Sequence, residues 1–431
     1  MSIRRRTLRT TALAVALGAL VLSSCGSGGS EADAKELDVV LVNTPWARAI
    51  TPHIPEFEKE TGIKVKLQQF AQPQARDKIF VSLSSRSSDL DVFNVLPSNE
   101  GIKWQRAGLL EDLESRLAEA DADYDAKGLT PAMLDASRLN KELVGIPVNA
   151  EGPVVYYRKD LLKQYDIAVP KTIDELVAAA AKIHSASKGR YVSATRGQSP
   201  TVVYTFGNFL HNEGAEWAKG GKPAFGDPRV VKAIDDYVKL AGTYGPKGAV
   251  NNGPVQTSAL MASGRAAFQI DSSNELDSVI GEQSKVADKI GIMPIPRGTA
   301  RSQPTLLAWN LGVSKFSKKK DQSWQFIQWA TSPEMMLTLA EDGVAPPRDK
   351  TWEDPAFQKL HASPAKKDWV TSVTDILATG TGEVGPPADD QGSARKVIGD
   401  EIDKVILGQQ DAEAAAANIQ KGLQPLLATK E

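Results

Sequence analysis

Two polar side chains, Asn149 and Glu151, stand between Pro147 and Pro153 in a segment otherwise fit for burial. Pro147 fixes its own backbone and pushes Ile146 into an extended conformation. Gly152-Pro153 then breaks the run, and an apolar strand candidate, Val154 to Tyr157, follows at once. Such a stretch can carry the chain from one lobe to another while presenting polar groups at the junction. The plainer reading is a strand-turn-strand connection inside one domain. Trp46 and Arg48 lie just beyond the first strand candidate, where open parallel sheets place ligands, although Trp46 also suits packing under a loop. Trp309-Asn310 interrupts another apolar strand, and Asp271 follows a third, where it could equally cap a helix. Metal chemistry finds no support: His53, His184, His211 and His361 show no i, i+4 pairing. Cys25 is the sole cysteine, so an internal disulfide is excluded and a zinc or redox site lacks partners.

The 431 residues suffice for a large two-lobed body, and 41% hydrophobic content supplies its core. Net charge is −2, and the first 24 residues carry Arg4, Arg5, Arg6 and Arg9 with no acid. Without those four arginines the remainder has 47 basic against 53 acidic residues, a net charge of −6, which argues against nucleic-acid binding. The basic stretch precedes an apolar run, Ala12 to Leu22, too short to span a membrane. It ends in Leu22-Ser23-Ser24-Cys25-Gly26, which resembles the lipobox of bacterial lipoproteins. That resemblance implies cleavage before Cys25 and a lipid anchor on its sulfur, with 1–24 as signal peptide. Arg4 to Arg9 also loosely resembles a twin-arginine export signal but lacks the usual aromatic, so Sec and Tat export both stay open. Residues 25–36 then read as a flexible tether.

The elements that must position the polar candidates alternate. Leu37 to Val42, Ile63 to Leu67 and Asp91 to Leu96 are strand candidates with helices between, an order that favours a mainly parallel sheet. Beyond the crossing, Thr172-Ile173-Asp174-Glu175 is a capping box opening a helix to about His184. Asp227-Pro228 starts another, and Val202 to Asn212 reads as helix. Ala266 to Ile270, Ile290 to Ile295 and Leu306 to Val313 are further strand candidates. Helices dominate the end of the chain: Lys319 to Ala330, Pro333 to Glu341, Ser393 to Leu407 and Asp411 to Leu427. Trp324 and Trp329 share a helix with Phe326 and Ile327 and read as core.

Several motifs in order look familiar. Phe57-Glu58-Lys59-Glu60-Thr61-Gly62-Ile63, Asp89-Leu90-Asp91-Val92-Phe93 and Gly108-Leu109-Leu110-Glu111-Asp112-Leu113 resemble the opening of bacterial extracellular solute-binding proteins of carbohydrate ABC transporters (family 1, maltose-binding-protein-like). Tyr156 to Leu161, Pro170 to Leu176, Gly264 to Phe268 and Phe326 to Glu334 fit the same pattern, so the likeness covers nearly the whole chain after the lipobox. It implies an α/β fold of type II with two lobes, sheets flanked by helices, a multi-segment hinge and a helical C-terminal part. The implied division puts 37–148 and 307–382 in lobe 1, and 149–306 and 383–431 in lobe 2. Ligand would bind in the cleft, and closure would present the loaded form to the permease.

Sugars offer hydroxyls around apolar C–H faces, so their sites combine aromatic planes with planar polar groups. The 8 tryptophans and 4 histidines suit stacking better than metal binding. The resemblance makes Trp46, Arg48, Asp91, Asn149, Glu151, Phe206, Trp217, Asp271, Asn274, Trp309, Asn310 and Arg348 candidate ligand contacts. Arg348 follows the family's "Gly-x-Pro-x-Arg" loop, and Asp91 opens a strand that leads to cleft residues. Core packing competes for Phe206 and Trp217, and solvation for Arg348. The expected protein is a monomeric, lipid-anchored, extracytoplasmic receptor for a mono- or oligosaccharide or polyol, partnered by permease subunits, without cofactor, metal or catalysis. A receptor of the same fold for a sugar phosphate or peptide is one alternative. An envelope glycosidase is another, needing two carboxylates such as Glu151 and Asp271 facing each other across a sugar, and no glycosidase motif surrounds them.

Overall fold

A computed structural model describes residues 35–427; the expected signal peptide, Cys25 and most of the tether lie outside the described residues. In chain order the strands are β1 (Glu36–Val42), β2 (Lys64–Phe70), β3 (Val92–Val95), β4 (Arg138–Leu139), β5 (Glu142–Leu143), β6 (Ile146–Glu151), β7 (Pro153–Arg158), β8 (Val192–Thr195), β9 (Ala218–Lys219), β10 (Lys222–Pro223), β11 (Ala266–Ser272), β12 (Ile290–Pro294) and β13 (Leu307–Val313). Two sheets result, ordered β2-β1-β3-β13-β6 and β12-β7-β11-β8, with β4/β5 and β9/β10 as small hairpins. Each sheet is the middle of one lobe.

The sheets are mixed, which corrects the expectation of mainly parallel ones. β1 pairs in parallel with β2 and β3, as β-α-β alternation dictates. β13 then runs antiparallel to both β3 and β6. In lobe 2 only β11 and β8 are parallel, while β7 runs antiparallel to β11 and β12. The physical reason lies in the crossings. A strand that follows a return from the other lobe enters its sheet from the cleft side, so it runs against the local β-α-β strands.

β6 belongs to the first sheet and β7 to the second, so the chain changes lobes at Gly152 between them. The other two crossings lie beside it. Thr305 and Thr381 form a parallel bridge, with Leu306 N donating to Thr381 O at 2.7 Å and Thr381 N to Pro304 O at 2.9 Å. A Cβ on Gly152 would stand 2.7 Å from Thr305 O and 2.8 Å from an Ile376 methyl. Three backbones can approach this closely only where one of them lacks a side chain.

Helices complete the lobes where their signals placed them. Thr172 Oγ1 accepts from Glu175 N at 3.1 Å while Glu175 Oε2 accepts from Thr172 N at 3.3 Å, so the capping box is formed. Asp227 caps the helix Pro228–Val238. Phe57, Phe326 and Trp329 pack in lobe 1, with Phe57 and Phe326 edge-to-face at 5.3 Å. One helix absent from the sequence reading, Pro364–Thr379, carries Trp369, Val373 and Ile376 into a cluster that also holds Ala150, Ala308, Tyr156 and Ile292. It braces the crossings from behind. The substitution Gly152→Ala forces a methyl against that carbonyl and the Ile376 side chain, and chemical denaturation should show it destabilised by about 1–3 kcal/mol. An unchanged midpoint would mean the crossings have room to spare.

Candidate functional site

The centre of the cleft is a buried carboxylate at the end of β6. Glu151 Oε1 accepts from Ser272 Oγ at 2.8 Å, and Oε2 accepts from Asn274 Nδ2 at 3.1 Å and from Trp309 Nε1 at 3.0 Å. Ser272 and Asn274 come from the end of β11 in lobe 2, whereas Trp309 stands on β13 in lobe 1. Sheet register explains the meeting: β13 pairs beside β6 with Trp309 opposite Asn149 and Leu307 opposite Glu151. Three donors from two lobes thus converge on one carboxylate.

Beside it lies a second anchored group. Asp271 is fully buried; its Oδ1 accepts from Arg196 Nη2 at 2.6 Å and from Ser272 N at 2.8 Å, and its Oδ2 from Thr257 Oγ1. Burial disfavours the Arg196 charge, but the Asp271 carboxylate outweighs that and holds the guanidinium more firmly protonated than usual. Arg196 in turn lies 4.3 Å from the ring centroid of Tyr204. Burial, and then the nearby Glu151 charge, push the Tyr204 phenol well above its ordinary pKa, so it stays a neutral donor and acceptor.

Tyr204 opens the helix Val202–Asn212 of lobe 2, yet its ring belongs to the same apolar cluster as Trp46 and Trp309 of lobe 1. The lobes therefore sit closed on one another. Four residues on the elements that meet here, Trp46, Tyr204, Asn149 and Asn274, are among those with a buried side-chain polar atom that makes no hydrogen bond within the described residues: Trp46 Nε1, Tyr204 Oη, Asn149 Oδ1 and Asn274 Oδ1. An unpaired buried polar group costs about 1–3 kcal/mol, and one N–H, one O–H and two amide oxygens in one place form a mixed donor and acceptor set. Hydroxyl groups, which donate and accept at once, match such a set.

Trp46, Asn149, Glu151, Asp271, Asn274 and Trp309 are the sequence candidates that the structure gathers here. The other six stand elsewhere. Arg48 is exposed and donates to Asn43 Oδ1 at 3.3 Å. Asp91 is fully buried at the opposite end of β3, where Asp38 N, Ser317 Oγ and Lys319 Nζ satisfy it. Phe206 and Trp217 pack edge-to-face in the lobe 2 core, and Trp217 Nε1 donates to Glu383 O at 2.9 Å. Asn310, on the face of β13 away from the cleft, accepts from Ser137 Oγ at 2.7 Å. Arg348 spends its guanidinium on the carbonyls of Thr331, Asp125 and Tyr124 at 2.7–2.9 Å, a clamp inside lobe 1. Arg196 and Tyr204 were missed. Arg196 follows the four-residue β8, too short to stand out, and Tyr204 hides among the apolar residues of its helix.

Among the described residues no group of three or more His, Cys, Asp and Glu is arranged to hold a metal ion, and no helix is long and apolar enough to cross a membrane. Glu151 and Asp271, the pair a glycosidase would need, are each engaged by three donor groups.

Comparison with known proteins identifies the class. Residues 43–337 match the model of the bacterial extracellular solute-binding protein family, and the chain belongs to that family. It is 30% identical over 296 residues to a mannitol-binding protein of Pseudomonas aeruginosa, covering 67% of each chain. An erythritol/L-threitol-binding protein of Mycolicibacterium smegmatis is 25% identical over 403 residues, 83% of this chain and 84% of that one. Among solved structures, a solute-binding protein of Agrobacterium vitis with bound D-mannitol is 26% identical, with a TM-score of 0.75 over 90% of this chain and 96% of that one. The fold is also shared with maltose-bound MalE3 of T. maritima, at 23% identity and a TM-score of 0.78 over 91% of this chain and 100% of that one.

Asp271→Asn would leave the buried Arg196 guanidinium without its carboxylate. Denaturant unfolding should show a loss of about 3–5 kcal/mol; a change below about 1 kcal/mol would mean that solvent, not Asp271, carries the Arg196 charge.

Proposed function

We propose that the protein is an extracytoplasmic receptor that takes a sugar or polyol into the cleft between its lobes and delivers it to the permease of an ABC importer. The observation that carries this reading is the mixed set of unpaired atoms on Trp46, Asn149, Tyr204 and Asn274. A polyhydroxylated solute supplies acceptors to the first and third and donors to the other two. The indole of Trp46, the phenol of Tyr204 and the indole of Trp309 supply apolar faces for its C–H groups. Glu151 sits where the strongest hydrogen bond from a solute hydroxyl would form, since a carboxylate roughly doubles the strength of a neutral pairing. The mannitol-binding and erythritol/L-threitol-binding relatives support the same chemistry.

The arrangement of the site supports binding without turnover. Its two carboxylates already accept from side chains on both sides, leaving neither placed as a free acid or base. Lobes divided at Gly152, Thr305–Leu306 and Gly380–Thr381 would swing about three adjacent backbones, and closure would bring Tyr204 onto Trp46 and Trp309. We further propose that a lipid on Cys25 holds the body, as a monomer, at the outer face of the cell membrane.

A thermal-shift series with D-mannitol, ribitol, D-tagatose and maltose tests the assignment. At least one should raise the melting temperature and change tryptophan fluorescence, with no product formed. Trp309→Ala should weaken that binding about tenfold or more, as loss of a desolvated aromatic anchor does. Stabilisation by none of them would count against a carbohydrate receptor, and unchanged affinity in Trp309→Ala would remove that ring from the site.

A further inference from the structure

Charged groups of both lobes meet beside the helix Gln391–Ile406. Helix Gln391–Ile406, which follows the third crossing, faces the segment Pro97–Gly101 of lobe 1 across the cleft mouth. Arg106, just beyond that segment, forms an ion pair with Asp389 of lobe 2. Arg76 pairs with Glu100 at 3.0 Å on the lobe 1 side. Between them stands Arg395, one turn into the helix.

Arg395 differs from the other cleft arginines in having no committed partner. Its one side-chain hydrogen bond is a long one, Nε to Gln391 Oε1 at 3.3 Å, and neither Nη has a partner among the described residues. Arg196, by contrast, has Asp271, and Arg76 has Glu100. Position is nonetheless well defined. Gln391 Nε2 ties the helix start to Pro386 O and Ala388 O, Asp390 caps it, and a Cβ on Gly385 would come within 3.1 Å of Arg395 Nη2. Burial, and then the neighbouring Arg76 charge, bring its pKa down to about 10. Glu100 opposes that shift and Arg196 adds to it; the side chain is half-buried.

Resting on the polyhydroxyl-solute reading of this cleft, we infer that Arg395 is a solute-contacting, specificity-determining residue that caps the site and restricts it to a single sugar unit or acyclic polyol. A guanidinium is a planar fork whose two Nη groups donate in parallel, which suits two oxygens on adjacent carbons. Helix 391–406 delivers that fork only when the lobes meet, so Arg395 reads the solute end at the moment of closure. The Arg106–Asp389 pair and the contact with Pro97–Gly101 shut the same end, so a chain of several sugars would have to keep the lobes apart there.

Calorimetric titration of the wild type, Arg395→Gln and Arg395→Lys with D-mannitol, ribitol, D-tagatose and maltotriose tests this, with the melting temperature of each unliganded protein measured alongside. For whichever single-unit probe the wild type binds, Arg395→Gln should weaken affinity about tenfold or more, with Arg395→Lys intermediate, at little change in unliganded stability. Wild-type affinity for maltotriose should be at least about tenfold weaker than for that probe. Equal affinity of Arg395→Gln and wild type, or maltotriose bound as tightly as the single-unit probe, overturns the inference while leaving the carbohydrate receptor intact. Absence of binding by the wild type to all four probes overturns the reading of the cleft, and the inference with it.

Discussion

Everything in the cleft depends on one carboxylate that is buried without a cation in direct contact. Glu151 is tolerated there because Ser272, Asn274 and Trp309 each donate to it. Two of those donors belong to one lobe and the third to the other, so satisfying Glu151 fixes the end of β11 against β6 and β13. The same bonds orient the Trp309 indole and the Asn274 amide, leaving the Asn274 oxygen free to face the cleft. The same three contacts that make the burial of Glu151 tolerable also set the geometry of the site proposed for the solute.

The neighbouring Arg196–Asp271 pair works by the same logic at higher charge. Buried ion pairs seldom add net stability, but breaking one is costly. Here the guanidinium of the pair lies against the face of Tyr204, whose ring joins the lobe 1 apolar cluster that also holds Trp46 and Trp309. Closed lobes thus concentrate aromatic area, fixed charge and unpaired hydrogen-bonding atoms in one small volume. Arg348, by contrast, spends its guanidinium on three backbone carbonyls inside lobe 1.

Much of this was legible in the sequence, and the misses have physical causes. The prolines around Asn149 and Glu151, with apolar residues outside them, marked a change of sheet, and Gly152 sits at the change. Trp309 was legible as an aromatic interrupting an apolar strand. Asp271 was legible as a charge ending one. Strand direction was not, because alternation of strands and helices says nothing about segments that return from another lobe. Arg348 and Asp91 misled because a buried charge satisfied by distant backbone, or by Ser317 and Lys319, has the same local sequence as one that meets a ligand. Arg196 and Tyr204 escaped because their partners lie far along the chain: Asp271 is 75 residues from Arg196, and Trp46 and Trp309 flank Tyr204 only in the folded molecule.

The most direct measurement is a crystal structure of the protein with D-mannitol, or with whichever alditol or monosaccharide binds it. Solute hydroxyls within hydrogen-bond distance of Trp46 Nε1, Asn149 Oδ1, Tyr204 Oη and Asn274 Oδ1, with the lobes closed about them, are what the account predicts. A solute bound outside the cleft, or one in the cleft that leaves those four atoms unpaired, would contradict it.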